Sequence, residues 1–142
     1  MNNQASTPRI AAHVVLRQKG KIAFLLRSDT GWQDGNYCLP SGGVEDGETF
    51  RQAAIRETQE ETGVRIKPEH LKHLLTDHSP DKGGWINVVF EAIEWEGDPH
   101  NAEPFMHSTL AWFNPKKLPE NVVSFTRTYI ECINDGSTYI ET

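Results

Sequence analysis

The sequence predicts an α/β fold, an α/β/α sandwich around a mixed β-sheet. Three observations carry this. Apolar, β-branched runs stand both before and after a single central helical stretch, that stretch is bounded by glycines, and a second, amphipathic helical pattern closes the chain. With 142 residues there is material for one domain with one substantial core, read as a single domain over 1–142.

The first strand is expected over Ile10 to Arg17, IAAHVVLR, a mostly apolar run with polar residues at its ends. Gln18-Lys19-Gly20-Lys21 makes a turn, and Ile22 to Arg27 returns as the second strand of a hairpin. His13 falls inside the apolar run and reads as a core or sheet-face histidine. Ser28 to Tyr37 is rich in glycine, asparagine and aspartate and reads as a loop. Its Trp32 makes the loop a candidate flap, since a base stacks well on indole; the plainer role is a packing anchor.

Leu39-Pro40-Ser41-Gly42-Gly43 follows, where paired glycines let backbone approach a ligand closely. Thr49 with Gln52 three residues on forms a capping box, and Gly63 supplies the stop of the helix between them. Leu71 to Ser79 has strand character, with Asp77 and His78 read as a turn or strand edge. Asp81 to Gly84 is a loop, and Trp85 to Ile93 is the strongest strand candidate. Its Val88, Val89 and Phe90 require neighbours on both sides, which places it mid-sheet. Glu94 to Met106 is loop, Leu110 to Phe113 a strand, and Ser124 to Asn134 a helix with Phe125, Tyr129, Ile130 and Ile133 on one face. The tail from Asp135 reads as irregular.

A formal net charge of −6 and a pI near 5.5 argue against a surface for polymeric nucleic acid or anionic membrane. Bound nucleotides remain compatible when a cation supplies the local positive charge. Cys38 and Cys132 form no disulfide framework and lack metal-ligand spacing. The start, MNNQASTPR, is polar, and no stretch approaches a membrane span. The expectation is a soluble, cytoplasmic protein.

The chemistry concentrates on the central helix. Glu57, Glu60 and Glu61 stand at i, i+3 and i+4, so three carboxylates share one face over about one turn. Like charges at that spacing repel by roughly 0.2–0.5 kcal/mol, and acids in a last turn oppose the helix dipole by a further ~0.3–1 kcal/mol each. A divalent cation turns that repulsion into binding, and Mg²⁺ prefers hard carboxylate oxygens together with water and substrate phosphates. A solvated acidic helix end accounts for the same residues at a tolerable cost.

The larger pattern distinguishes the two. Gly42, Glu48, Arg56-Glu57, Glu60-Glu61, Gly63 and Val64 resemble the signature of the Nudix hydrolases in every spacing, and LAWFNPKKLPEN resembles a distal segment of MutT-type members. One position departs, Thr58, where the family carries a bulky aliphatic residue; packing there should be slightly weaker, with no metal ligand lost.

The resemblance implies the Nudix fold and a Mg²⁺-dependent reaction, with Mn²⁺ as the alternative ion. It implies Glu57, Glu60 and Glu61 as metal ligands, Glu48 as a further or supporting one, and the carbonyl of Ser41 as another. Arg56 would orient the carboxylates, and its plain role is an ion pair with Glu60. For Glu48 the plain role is a negative charge at the helix start. A fourth carboxylate is expected from EWEGDPHNAEP, with Glu103 preferred over Glu94 and Glu96; the base is Glu57 or a loop acid. Arg27 would face substrate, its plain role being a surface strand end, and Asn121 stands where MutT-type relatives that read oxidised purines carry a base-contacting asparagine. An ordinary turn asparagine explains it equally.

The leading implication is a pyrophosphohydrolase releasing monophosphate and pyrophosphate from a nucleoside triphosphate, ordinary or oxidised. The alternatives are hydrolysis of ADP-ribose, nucleotide sugars or dinucleoside polyphosphates, and a Nudix module that only binds a nucleotide. The partner is a small nucleotide, and the protein is a monomer or homodimer.

Overall fold

The computed structural model describes residues 5–142; the first four residues of the polar start lie outside them. Strand β1 (Arg9–Gln18) turns into β2 (Lys21–Arg27), and two short strands follow, β3 (Tyr37–Cys38) and β4 (Ser41–Gly43). Helix α1 (Phe50–Thr62) leads to β5 (Leu71–Ser79), β6 (Trp85–Ala92), β7 (His107–Phe113), helix α2 (Ser124–Asn134) and β8 (Tyr139–Glu141).

The sheet is mixed, in the order β3-β2-β1-β6-β5-β8, with β4 on β1 and β7 on β2. Strand β1 runs parallel to β6 from Arg9 to Leu16, which sets β6 between β1 and β5 as its apolar composition requires. The other edge of β1 is divided. Its first half pairs with β4 at Ala11 to His13, and only Arg17 and Gln18 pair with β2.

Alternation along the strands builds two cores. Ala12, Val14 and Leu16 of β1, with Val88, Phe90 and Ala92 of β6, pack toward Ala53 and Ala54 of α1. Val15, Val89 and Leu75 face the opposite way, toward Tyr129 and Ile130 of α2. One helix on each face of the sheet gives the α/β/α sandwich. His13 shares the α2 face, buried, with its Nε2 2.9 Å from Asn87 Oδ1.

Three expectations need correcting. The tail is not irregular throughout: β8 pairs parallel with β5 at Thr76 to His78. Asp77 lies inside β5, 2% exposed, where it accepts hydrogen bonds from the Tyr129 hydroxyl at 2.5 Å and the Thr142 hydroxyl at 2.9 Å. Those partners let a buried carboxylate occupy a sheet interior. Strand β7 begins at His107 because its pairing with β2 extends to Arg27, across a bulge at Leu26/Arg27. Among the described residues, no helix is long and apolar enough to cross a membrane.

Candidate active site

Helix α1 begins as its sequence dictates. The Thr49 side chain accepts from the Gln52 N–H while the Gln52 side chain accepts from the Thr49 N–H. It ends at Gly63 with φ of 78°, a left-handed cap that returns its N–H to the Gln59 carbonyl. Thr58 is fully buried and its hydroxyl donates to the Ala54 carbonyl at 2.7 Å, so the departure from an aliphatic residue leaves no orphaned polar group.

A helix end leaves carbonyls without partners, and here the loop before β7 supplies donors. The His100 N–H reaches the Thr62 carbonyl and the Ala102 N–H the Glu61 carbonyl, both at 3.0 Å. The loop then closes on itself: the N–H groups of Met106 and His107 donate to the Glu103 carbonyl, and the Asn101 amide donates to the His107 carbonyl at 2.7 Å. Docking on the helix terminus thereby carries Glu103 to Glu61. Donor atoms of Glu61, Glu103 and His107 lie within 4.8 Å of one another. His107 has no counterpart in the sequence reading, because a single histidine at a strand start carries no spacing signal.

The other predicted residues divide into those at this cluster and those that frame it. Glu57 sits with its carboxylate against Gly42: a Cβ there would lie 2.0 Å from Glu57 Cδ. Ser41 donates its N–H to Glu61 Oε1 at 2.8 Å. Glu60 is half exposed and 3.5 Å from Arg56. Arg56 reaches Glu57 Oε1 at 2.8 Å, the Gly43 carbonyl at 3.1 Å and both oxygens of Glu48, at 2.8 and 2.9 Å. Glu48 therefore precedes the helix and is committed to Arg56, rather than facing the dipole as the first residue of the first turn.

Arg27 and Trp32 are brought together. The guanidinium lies 4.8 Å from the Trp32 ring centroid and donates to the Trp32 carbonyl at 2.8 Å, while the indole stacks on Phe125 at 6.0 Å. Both residues line a cleft of about 660 Å³ that also takes in Ser41, Gly42, His13 and Asn87. Asn121 stands apart from that lining, its amide donating to the Gly35 carbonyl at 3.1 Å.

The NUDIX domain family matches residues 7–131 of this sequence, nearly its whole length. The chain belongs to the Nudix hydrolase family. An RNA pyrophosphohydrolase of Erythrobacter litoralis is 28% identical over 84% of this chain and 84% of its own length. A Caenorhabditis elegans protein named as a nudix hydrolase is 32% identical over 92% of this chain, which spans 35% of that longer protein. The crystal structure of a MutT NUDIX hydrolase from Burkholderia pseudomallei is also similar, with 26% identity and a TM-score of 0.78 over 88% of this chain and 97% of that one.

Carboxylate oxygens of Glu61 and Glu103, brought within 4.8 Å of one another and of His107, suit a hard divalent cation. Burial raises the Glu61 carboxyl well above the usual range, and burial likewise raises Glu57 and Glu103. Neighbouring carboxylates add to each shift. Glu48 behaves oppositely: hydrogen bonds from Arg56 hold it at about 2.

Groups with raised folded pKa values stabilise the fold below the unfolded carboxyl range, and that contribution disappears as pH rises through their folded values. A cation needs the deprotonated form, so its stabilisation grows over the same interval. Millimolar Mg²⁺ is expected to raise Tm more at about pH 8 than at about pH 5.5, as read by thermal melts with and without the ion. An increment that shrinks with rising pH would exclude these carboxylates as the binding groups.

Proposed function

We propose that this Nudix hydrolase, acting on a nucleotide-linked phosphoric anhydride, is a Mg²⁺-dependent pyrophosphohydrolase. Its substrate is a nucleoside triphosphate, ordinary or oxidised, released as monophosphate and pyrophosphate. The supporting observation is the cleft of about 660 Å³, which runs from Ser41 and Gly42, the residues set against Glu61 and Glu57, to the Trp32–Phe125 stack. A volume of this size suits one nucleotide, with phosphates toward the acids and the base against the aromatic wall.

Glu57, Glu60, Glu61 and Glu103 would hold the ion, with the Ser41 backbone beside them. A divalent cation in that position neutralises phosphate charge and lowers the pKa of an attacking water. Arg56 spaces the acids by holding Glu48 and Glu57 at once. Glu57 or Glu103 takes the proton from the water, a role suited to carboxyls whose pKa values are raised. Arg27 orients the flap through the Trp32 carbonyl, while Asn121, the candidate base-reading amide, fastens the Gly35 turn outside the cleft lining. The reading extends to a single domain over 1–142 working in the cytoplasm.

The test is a product-resolved hydrolysis screen with Mg²⁺. It offers ordinary and oxidised nucleoside triphosphates, ADP-ribose, nucleotide sugars, dinucleoside polyphosphates and a 5′-triphosphorylated oligonucleotide. Fast pyrophosphate release from a free triphosphate is expected; turnover confined to any other class overturns the substrate assignment. Trp32→Ala should then raise KM for the best triphosphate by roughly tenfold with kcat little changed, because stacking on an aromatic ring is worth about 1–3 kcal/mol per base. An unchanged KM would return Trp32 to a packing role.

A further inference from the structure

His107 opens β7 with its ring 2% exposed and its backbone pinned by Glu103 and Asn101. Its Nδ1 is buried and has no hydrogen-bond partner among the described residues. Its Nε2 lies 3.5 Å from Glu61 Oε2. A proton on Nδ1 would be a buried donor without an acceptor, which costs ~1–3 kcal/mol, whereas a bare lone pair there is the lesser loss. That difference in cost favours the tautomer with the ring proton on Nε2, facing Glu61.

Glu61 is then gripped from both sides. Ser41 N–H holds Oε1 at 2.8 Å, and the imidazole N–H stands a few tenths of an ångström beyond a formed bond to Oε2. We propose that His107 is a positioning residue for the Nudix site: its Nε2–H donates to Glu61 Oε2 and, against the Ser41 N–H, fixes which lone pairs Glu61 offers to a divalent cation. This rests on Glu61 being a ligand, as in the function above. Hydrogen bonds to the outer side of a ligand fix its orientation, and removing one lowers metal affinity by about 10–100-fold.

Mn²⁺ alone is the probe, its free fraction followed by electron paramagnetic resonance on the full chain. His107→Leu is expected to weaken Mn²⁺ binding about tenfold. His107→Gln, whose amide N–H₂ can occupy the same place, should restore affinity to within about threefold of wild type, a rescue that a merely structural role would not give. Pulsed measurements on wild type should show no directly bonded ¹⁴N, because Nε2 carries its proton; this readout does not depend on any variant folding.

Wild-type affinity in a folded His107→Leu protein overturns the proposal. So does failure of His107→Gln to restore binding, or a directly bonded ¹⁴N signal, which would make the ring a ligand. Glu61→Gln separates the two levels. Mn²⁺ binding lost in Glu61→Gln but intact in His107→Leu removes only the positioning role, while wild type that binds no Mn²⁺ removes the metal site and this role with it.

Discussion

Glu61→Gln is expected to lower kcat for Mg²⁺-dependent pyrophosphate release by about 10³-fold or more while the protein remains folded. A cation that stabilises developing phosphate charge is worth several kcal/mol, and each ~1.4 kcal/mol is a factor of ten in rate. Glu61 is the most buried acid of the cluster, 6% exposed, so water has little access to take over as a ligand in its place.

The fold survives for reasons visible at the same residue. An amide has the carboxylate's shape, and its oxygen can keep the Ser41 N–H at Oε1. Its N–H₂ then meets His107 donor to donor, a loss of ~1 kcal/mol, but the substitution also removes a buried charge whose desolvation is what raises the Glu61 carboxyl. The two effects oppose each other, and Tm should stay within about 3 °C, the shift that roughly 1 kcal/mol produces at this chain length. Far-UV circular dichroism and a thermal melt check the fold, and product release checks the chemistry. Turnover that persists would remove the carboxylate site, whereas a wild type that binds nucleotide without cleaving it would favour the binding-module alternative.

What could be read in the sequence is what a few neighbouring residues decide. Thr49, Gln52 and Gly63 bound α1 through contacts within one turn, and the face periodicity of Phe125, Tyr129 and Ile130 bounds α2. The spacing of the glutamates on α1 is likewise local. Glu103 could be named only through family resemblance, since its approach to Glu61 depends on backbone bonds across about forty residues. Strand β8 has three residues and owes its form to pairing with β5, so nothing within it announces a strand. Asp77 reads as a turn or strand edge in the sequence because its partners, Tyr129 and Thr142, are 52 and 65 positions away. His107 is the sharpest case: its significance consists in what surrounds each ring nitrogen, and that exists only in the folded chain.

Gly42→Ala should cost about 10²-fold in kcat with little loss of stability. The backbone of Gly42 pairs with Ala12 across β4 and β1, and it does not occupy the left-handed region, so alanine meets no conformational penalty there. The obstacle is the far end of one side chain: the new methyl would stand 2.0 Å from Glu57 Cδ and 2.3 Å from its Oε1. Glu57 can move, which spares the fold, but it moves against its 2.8 Å bond to Arg56, and Arg56 also holds Glu48 and the Gly43 carbonyl. Displacing a positioned catalytic group by about 1 Å can cost 10²-fold. Gly43→Ala is the comparison, because its Cβ would meet only the Ile10 carbonyl oxygen at 4.0 Å and leaves Glu57 in place, so it should cost far less. Steady-state kinetics on the two alanine variants, each with a melt, separate the explanations. Equal losses would mean that β4 tolerates no side chain of any kind, and a folded Gly42→Ala enzyme with wild-type kcat would show that the position of Glu57 is immaterial to the reaction.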